Sequence, residues 1–364
     1  MRAFFRTYSL VFITFFAWNL GAQSIYEAPD KVIEKGNRML ENPDVTTRIE
    51  GLILISRAYS SKRDYQKSLE YALEAKSLLS KTDNVLSYIK VMDRIAIQYE
   101  QLGIYDKAFE TLNEYESLCL EYPVADSVRR YLGNNYLVRG FVYKNQLNCE
   151  IAIGYFNKSI SEYLKINTKQ INANLSIATY NKGNCYIMLS DYQEAKANFT
   201  ESADFADKVL AKSLKAFAYK GLAEVYTLEG SYTQAIELLD HALEISDNVG
   251  DLVLNRGIYE GLSQSYLAID NMEKYQLYNA KFAETQDEIR TSERQSVDDS
   301  IRVYEETLQT QLQQDKPRFV YGVTAVLLGC FLLLGLIVFN EKRTRKKVNS
   351  LQKQIEILQK KNPS

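Results

Sequence analysis

The chain has 364 residues with only 5 Pro and 16 Gly, which excludes a sandwich or barrel built on many tight turns and reads as helical. A single His and four Cys leave no material for a histidine-rich metal cluster, and no metal or other cofactor is expected. The formal charge of -2 conceals a basic C-terminal segment, described below.

Residues 1–22 have the pattern of a signal peptide. Arg2 and Arg6 give a positive start, Tyr8 to Trp18 an apolar stretch, and Gly21-Ala22 a small-residue end before Gln23. Residues 23–43 follow as a helical lead-in.

From residue 44 to residue 283 the chain repeats. Small residues at Ser56, Ala96, Gly140, Gly183, Ala223 and Ser263 are 40, 44, 43, 40 and 40 residues apart. Three positions after each stands a tyrosine: Tyr59, Tyr99, Tyr143, Tyr186, Tyr226 and Tyr266. Twelve after each comes Ser68, Ala108, Ala152, Ala195, Ala235 or Tyr275, and sixteen after each comes Ala72, Leu112, Phe156, Phe199, Leu239 or Asn279. Two antiparallel helices approach closely only where one presents a small residue, and a large side chain of the other fills the groove beside it. Asp64, Ile104, Asn148, Asp191, Ser231 and Asn271, eight after each anchor, mark the start of the second helix, and five of the six are good N-caps. The sixth unit departs at Tyr275 and Asn279, as expected of a terminal repeat with one face unburied.

These residues resemble the tetratricopeptide repeat family, with its Leu-Gly-x-x-Tyr and Ala-x-x-x-Phe signature. Gly183, Tyr186, Tyr192, Ala195, Phe199 and Ser202 match it best, followed by Ala223, Tyr226, Tyr232, Ala235, Leu239 and Ala242. The period is longer than the family's 34 residues, and the signature Trp and terminal Pro are missing. The resemblance implies an all-α, right-handed helical solenoid of about six repeats whose inner groove holds a peptide or partner protein. Carried over residue by residue, that groove comprises Asn134, Phe141, Lys144 and Asn145, then Tyr180, Asn184 and Met188, then Phe217, Lys220 and Glu224. Helical spacing leaves a second reading open, in which Phe141, Tyr180 and Phe217 pack between repeats. Lys144, Asn184 and Lys220 loosely resemble the set with which some family members clamp a peptide carboxylate, but the family's order is not reproduced.

Residues 284–316 are expected to form a helical stalk, with Val297, Ile301, Tyr304 and Leu308 at heptad spacing. Residues 317–340 are expected to be a transmembrane helix. Phe319–Phe339 is a run of 21 residues without a charge, spanning about 31 Å at about 1.5 Å per residue. The tail, 341–364, carries eight basic residues against Glu341 and Glu356, placing it on the cytoplasmic side, with Val348, Leu351, Ile355 and Leu358 as a second short seam. The two seams allow a homodimer. The expected location is therefore a bacterial inner membrane, single-pass, with the repeats exported to the periplasm. The basic residues serve topology and anionic lipid, and no nucleic acid is expected.

No Gly-rich phosphate loop or Ser/His/Asp order occurs, and His241 is the only imidazole, so the chain is not read as an enzyme. Cys119, Cys149 and Cys185 are read as buried packing residues, with one disulfide left open, and Cys330 falls in the apolar run. The function expected is a membrane-anchored scaffold or adaptor. The alternatives are a receptor subunit relaying through the transmembrane helix to a separate partner, and an envelope assembly helper.

Overall fold

The computed structural model describes residues 29–246 and 251–291, and from the C-terminal part residues 324, 327, 333, 334, 336, 337 and 339–354. The chain divides into two units, Met1–Val297 and Asp298–Ser364. Among the described residues every regular element is helical.

In the first unit, α1 (Pro29–Leu40) is followed by six helix pairs. They are α2 (Val45–Ser61) with α3 (Tyr65–Leu78), α4 (Val85–Gln101) with α5 (Tyr105–Glu121), α6 (Ala125–Asn145) with α7 (Cys149–Leu164), α8 (Ile171–Met188) with α9 (Tyr192–Lys208), α10 (Lys212–Leu228) with α11 (Tyr232–Ser246), and α12 (Leu252–Ala268) with α13 (residues 272–291). The first helices are 17 to 21 residues long, which accounts for the extended period.

Each pair turns in the same way. Arg63, Gly103, Leu147, Ser190, Gly230 and Asp270, all seven residues after an anchor, adopt left-handed backbone with φ between 56° and 79°. The next N–H, from Asp64, Ile104, Asn148, Asp191, Ser231 or Asn271, donates back to the carbonyl of the repeat tyrosine at 2.8 to 3.0 Å. This is the Schellman closure, which satisfies carbonyls the ending helix would leave orphaned. The side chains of Asp64, Asn148, Asp191 and Asn271 then cap the next helix, accepting from Lys67, Ile151, Glu194 and Lys274 N–H at 3.0 to 3.3 Å. The tyrosine rings also hold the pair together, since Tyr59 stacks on Tyr71, Tyr143 on Tyr155 and Tyr266 on Tyr278, with centroids 5.3 to 5.7 Å apart.

Large side chains of the second helices fill the space left by small residues of the first. Phe156 lies against Gly140, and Phe199 occupies a slot between Gly183 and Gly221 of consecutive first helices. The core runs along the unit as three successive clusters, each spanning neighbouring repeats. Successive first helices touch one another (α2 with α4, through α10 with α12), and no comparable contact joins successive second helices. The first helices therefore form the inner, concave layer.

The curvature brings distant parts of this unit together. Arg63, in the turn of the first repeat, lies 3.7 Å from the carboxylate of Asp251, which caps the first helix of the sixth. At the far end α13 leaves Met272, Leu277 and Asn279 exposed, as expected of a terminal repeat.

The single-pass inner-membrane placement requires correction. Among the described residues no helix is long and apolar enough to cross a membrane. The longest, α6 at 21 residues, carries Asp126, Arg129, Arg130, Arg139 and Lys144, whose desolvation in lipid would be prohibitive. Of the expected span Phe319–Phe339, only Thr324, Leu327, Leu333, Leu334, Leu336, Ile337 and Phe339 fall among the described residues. The placement, the membrane anchor and the relay through it are not retained. The signal segment 1–22, Val297, Ile301, Tyr304 and Leu308, and Ile355 and Leu358 lie outside the described residues. In the second unit residues 339–354 are helical, with Val348 and Leu351 exposed.

Candidate functional site: the concave face of the first helices

Three polar groups follow one another along the inner layer. The first joins repeats one to three. Asp93 on α4 is 3% exposed, and its carboxylate accepts from the Tyr115 hydroxyl at 3.3 Å and from Asn134 Nδ2 at 3.1 Å. Asn134 in turn accepts from the Tyr163 hydroxyl at 2.7 Å. Burial raises the Asp93 carboxyl to about 6, against the opposing pull of Asn134, Arg57, Arg130 and Arg94. Arg94 donates to the hydroxyls of Ser56 and Ser68 at 3.1 and 3.3 Å, and burial lowers its guanidinium to about 9.

The second group joins repeats two to four. Asn145 Nδ2 donates to Glu100 at 3.0 Å, and Lys144 Nζ to Asn181 Oδ1 at 2.7 Å. Burial raises Glu100 to about 7 and lowers the Lys144 ammonium, although each draws the other toward its charged form. The third group joins repeats four to six, where Lys220 lies across Gly257 and its Nζ is 3.5 Å from Glu224. A Cβ at residue 257 would stand 3.0 Å from Lys220 Cδ, so a glycine there leaves the lysine stem its path.

The ten residues expected to line the groove separate into two sets. Asn134, Phe141, Tyr180 and Phe217 are buried, at most 4% exposed. The rings of Phe141 and Tyr180 are set against Phe156 and Phe199 of the second helices, and Tyr180 also against Phe217, with centroids 5.4 to 5.8 Å apart. Lys144, Asn145, Asn184 and Lys220 are half-buried on the inner layer, while Met188 and Glu224 are exposed. The sequence reading passed over Arg57, Asp93, Arg94, Glu100 and Arg130, because groove positions were carried over only for the middle repeats. The charged pair Asp93-Arg94 inside the apolar run of α4 was the available signal.

Cys119, Cys149 and Cys185 are buried and unbridged. His241 is exposed on α11, edge-on to the Tyr219 ring at 6.3 Å.

A solenoid of paired helices with a small-to-large register and an inner polar face defines a helical-repeat scaffold. Residues 171–248, which are α8 through α11, match the family model described as a tetratricopeptide repeat. No curated protein matches the chain. Among solved structures, the chain is similar to BtubC (BKLC) from P. vanneervenii at 14% identity and TM-score 0.51, covering 63% of this chain and 92% of that one. It is similar to a Rap protein complexed with Competence and Sporulation Factor at 12% identity and TM-score 0.53, covering 71% and 80%. It is likewise similar to NprR in complex with its cognate peptide NprX at 15% identity and TM-score 0.52, covering 79% and 82%. Identities this low speak to the fold alone, which is an all-α solenoid of tetratricopeptide-like repeats.

Proposed function

We propose that the protein is a non-catalytic interaction scaffold that holds an extended peptide, or a helix of a partner protein, along the concave face of its first helices. The observation that carries this reading is the half-buried strip of Lys144, Asn145, Asn184 and Lys220, bordered by exposed Met188 and Glu224, on the inner layer. Amides and ammonium groups held on a rigid apolar support can fix the backbone and register of an extended chain, while neighbouring apolar surface supplies affinity. Two of the similar structures are peptide complexes by their own descriptions, which supports the reading by analogy of fold.

The test places a photo-crosslinking phenylalanine at Met188 on the inner layer and, in a second variant, at Leu120 on α5, which is 65% exposed on the outer layer. Partner protein should be captured at Met188 and lost when Asn184→Ala and Lys220→Ala are added, with the thermal midpoint preserved. Equal capture from both positions would refute a concave site.

A further inference from the structure

The first polar group along the inner layer has an excess of positive charge that the fold does not neutralise. Arg57 of α2, Lys90 and Arg94 of α4, and Arg130 of α6 surround Asp93, and Lys90 is bonded to Glu50 at 3.0 Å. With that pair set aside, three guanidinium groups face one carboxylate. The hydrogen bonds of Asp93 come from Tyr115 and Asn134, and those of Arg94 go to Ser56 and Ser68. Among the described residues no hydrogen bond reaches the Arg57 guanidinium, which is half-buried beside Tyr131 and feels the like charge of Arg130.

Collecting partly desolvated cations costs folding free energy unless a counter-charge approaches them. A guanidinium on a concave, half-dry surface is also the group best suited to a planar carboxylate, which it can meet with two parallel N–H bonds. The two half-buried arginines come from the first helices of repeats one and three, so an anion seated between them would bridge three consecutive repeats.

We propose that Arg57 and Arg130 form a subsite for a carboxylate, supplied by an acidic side chain of the peptide that occupies the concave face. The subsite rests on the scaffold reading above and fixes register at the N-terminal end of the groove, whereas Lys144, Asn184 and Lys220 act further along it.

The test uses fluorescent octapeptide pools with capped ends, varied among Leu, Ile, Ala, Asn and Ser at seven positions and fixed as Glu at one. A matched pool carries Gln at that position, and a third carries Gln with a free C-terminal carboxylate. Anisotropy titrations are run on the full chain, on Arg57→Gln, on Arg57→Lys, and on Lys76→Gln as an exposed control on α3. The Glu pool is expected to bind the unmodified chain about tenfold more tightly than the capped Gln pool. Arg57→Gln should abolish that ratio, Arg57→Lys should keep part of it, and Lys76→Gln should leave it unchanged.

Equal binding of the Glu and capped Gln pools overturns the carboxylate subsite while leaving the scaffold reading intact. Preference for the free-terminus pool alone overturns the side-chain source. Binding by no pool overturns the subsite and the scaffold reading together. The comparison of pools on the unmodified chain decides these outcomes even if Arg57→Gln does not fold.

Discussion

Replacing Gly221 with alanine should destabilise the solenoid, and shrinking Phe199 should rescue it. A Cβ at residue 221 would lie 2.5, 2.7 and 2.8 Å from Cε1, Cδ1 and Cζ of the Phe199 ring, so the ring would have to move by most of an ångström. It has nowhere to go, because a Cβ built on Gly183 on the facing first helix would stand only 2.8 Å from the same ring. Overpacking of this kind costs about 1–3 kcal/mol, and the better helix propensity of alanine returns about 1 kcal/mol, leaving a net loss of about 1–2 kcal/mol. Phe199→Leu alone should cost a similar amount, about 1–2 kcal/mol, because the smaller side chain underfills a fully buried slot. In the double variant the new methyl group occupies the vacated space, so the combined loss should fall short of the sum by about 1 kcal/mol. Urea unfolding followed by far-ultraviolet circular dichroism measures all four proteins. Additivity of the two changes within about 0.5 kcal/mol, or a stabilised Gly221→Ala protein, would refute the account of the slot.

Leu147→Gly should stabilise the protein by about 0.5–1 kcal/mol, read as a higher thermal midpoint. It relieves a left-handed residue at φ 60° whose side chain is already 63% exposed, while the matched Gly103→Ala should lower the midpoint. Glu100 is neutral-preferring in the fold, raised from 4.5 to about 7, so the stability it contributes is complete below pH 4.5 and is lost as pH rises through 7. Glu100→Gln should therefore flatten the pH dependence of urea midpoints between pH 5 and 8 and raise stability at pH 8, by about 1–3 kcal/mol; an unchanged slope would show that the carboxyl is ionised throughout. Asp251→Asn keeps an N-cap side chain but removes the charge facing Arg63, so the first and sixth repeats should separate, read as a longer distance between spin labels on their exposed turns. An unchanged distance would show that packing alone sets the curvature.

How much was legible in the chain differs sharply between the repeat register and the site. The helix boundaries were available because Asp64, Asn148, Asp191 and Asn271 act locally, each capping a helix three residues away with no help from the rest of the fold. The six tyrosines could be counted but not explained, since the left-handed turn that uses their carbonyls carries glycine at only two of six positions. Phe141, Tyr180 and Phe217 could not be assigned to core or groove, because both faces of a first helix in a solenoid are partly apolar and differ only in what the neighbouring repeat covers.

Local chemistry and period were thus enough to determine a helical-repeat solenoid with its turns in the right places. The tertiary structure alone decided which residues face the concave side, because curvature is the accumulated result of how each pair of helices seats against the next. It brought Arg63 to Asp251 across 188 positions and gathered Arg57, Asp93 and Arg130 from three repeats into one cluster. No local spacing records such meetings, since they depend on small rotations summed over the intervening repeats.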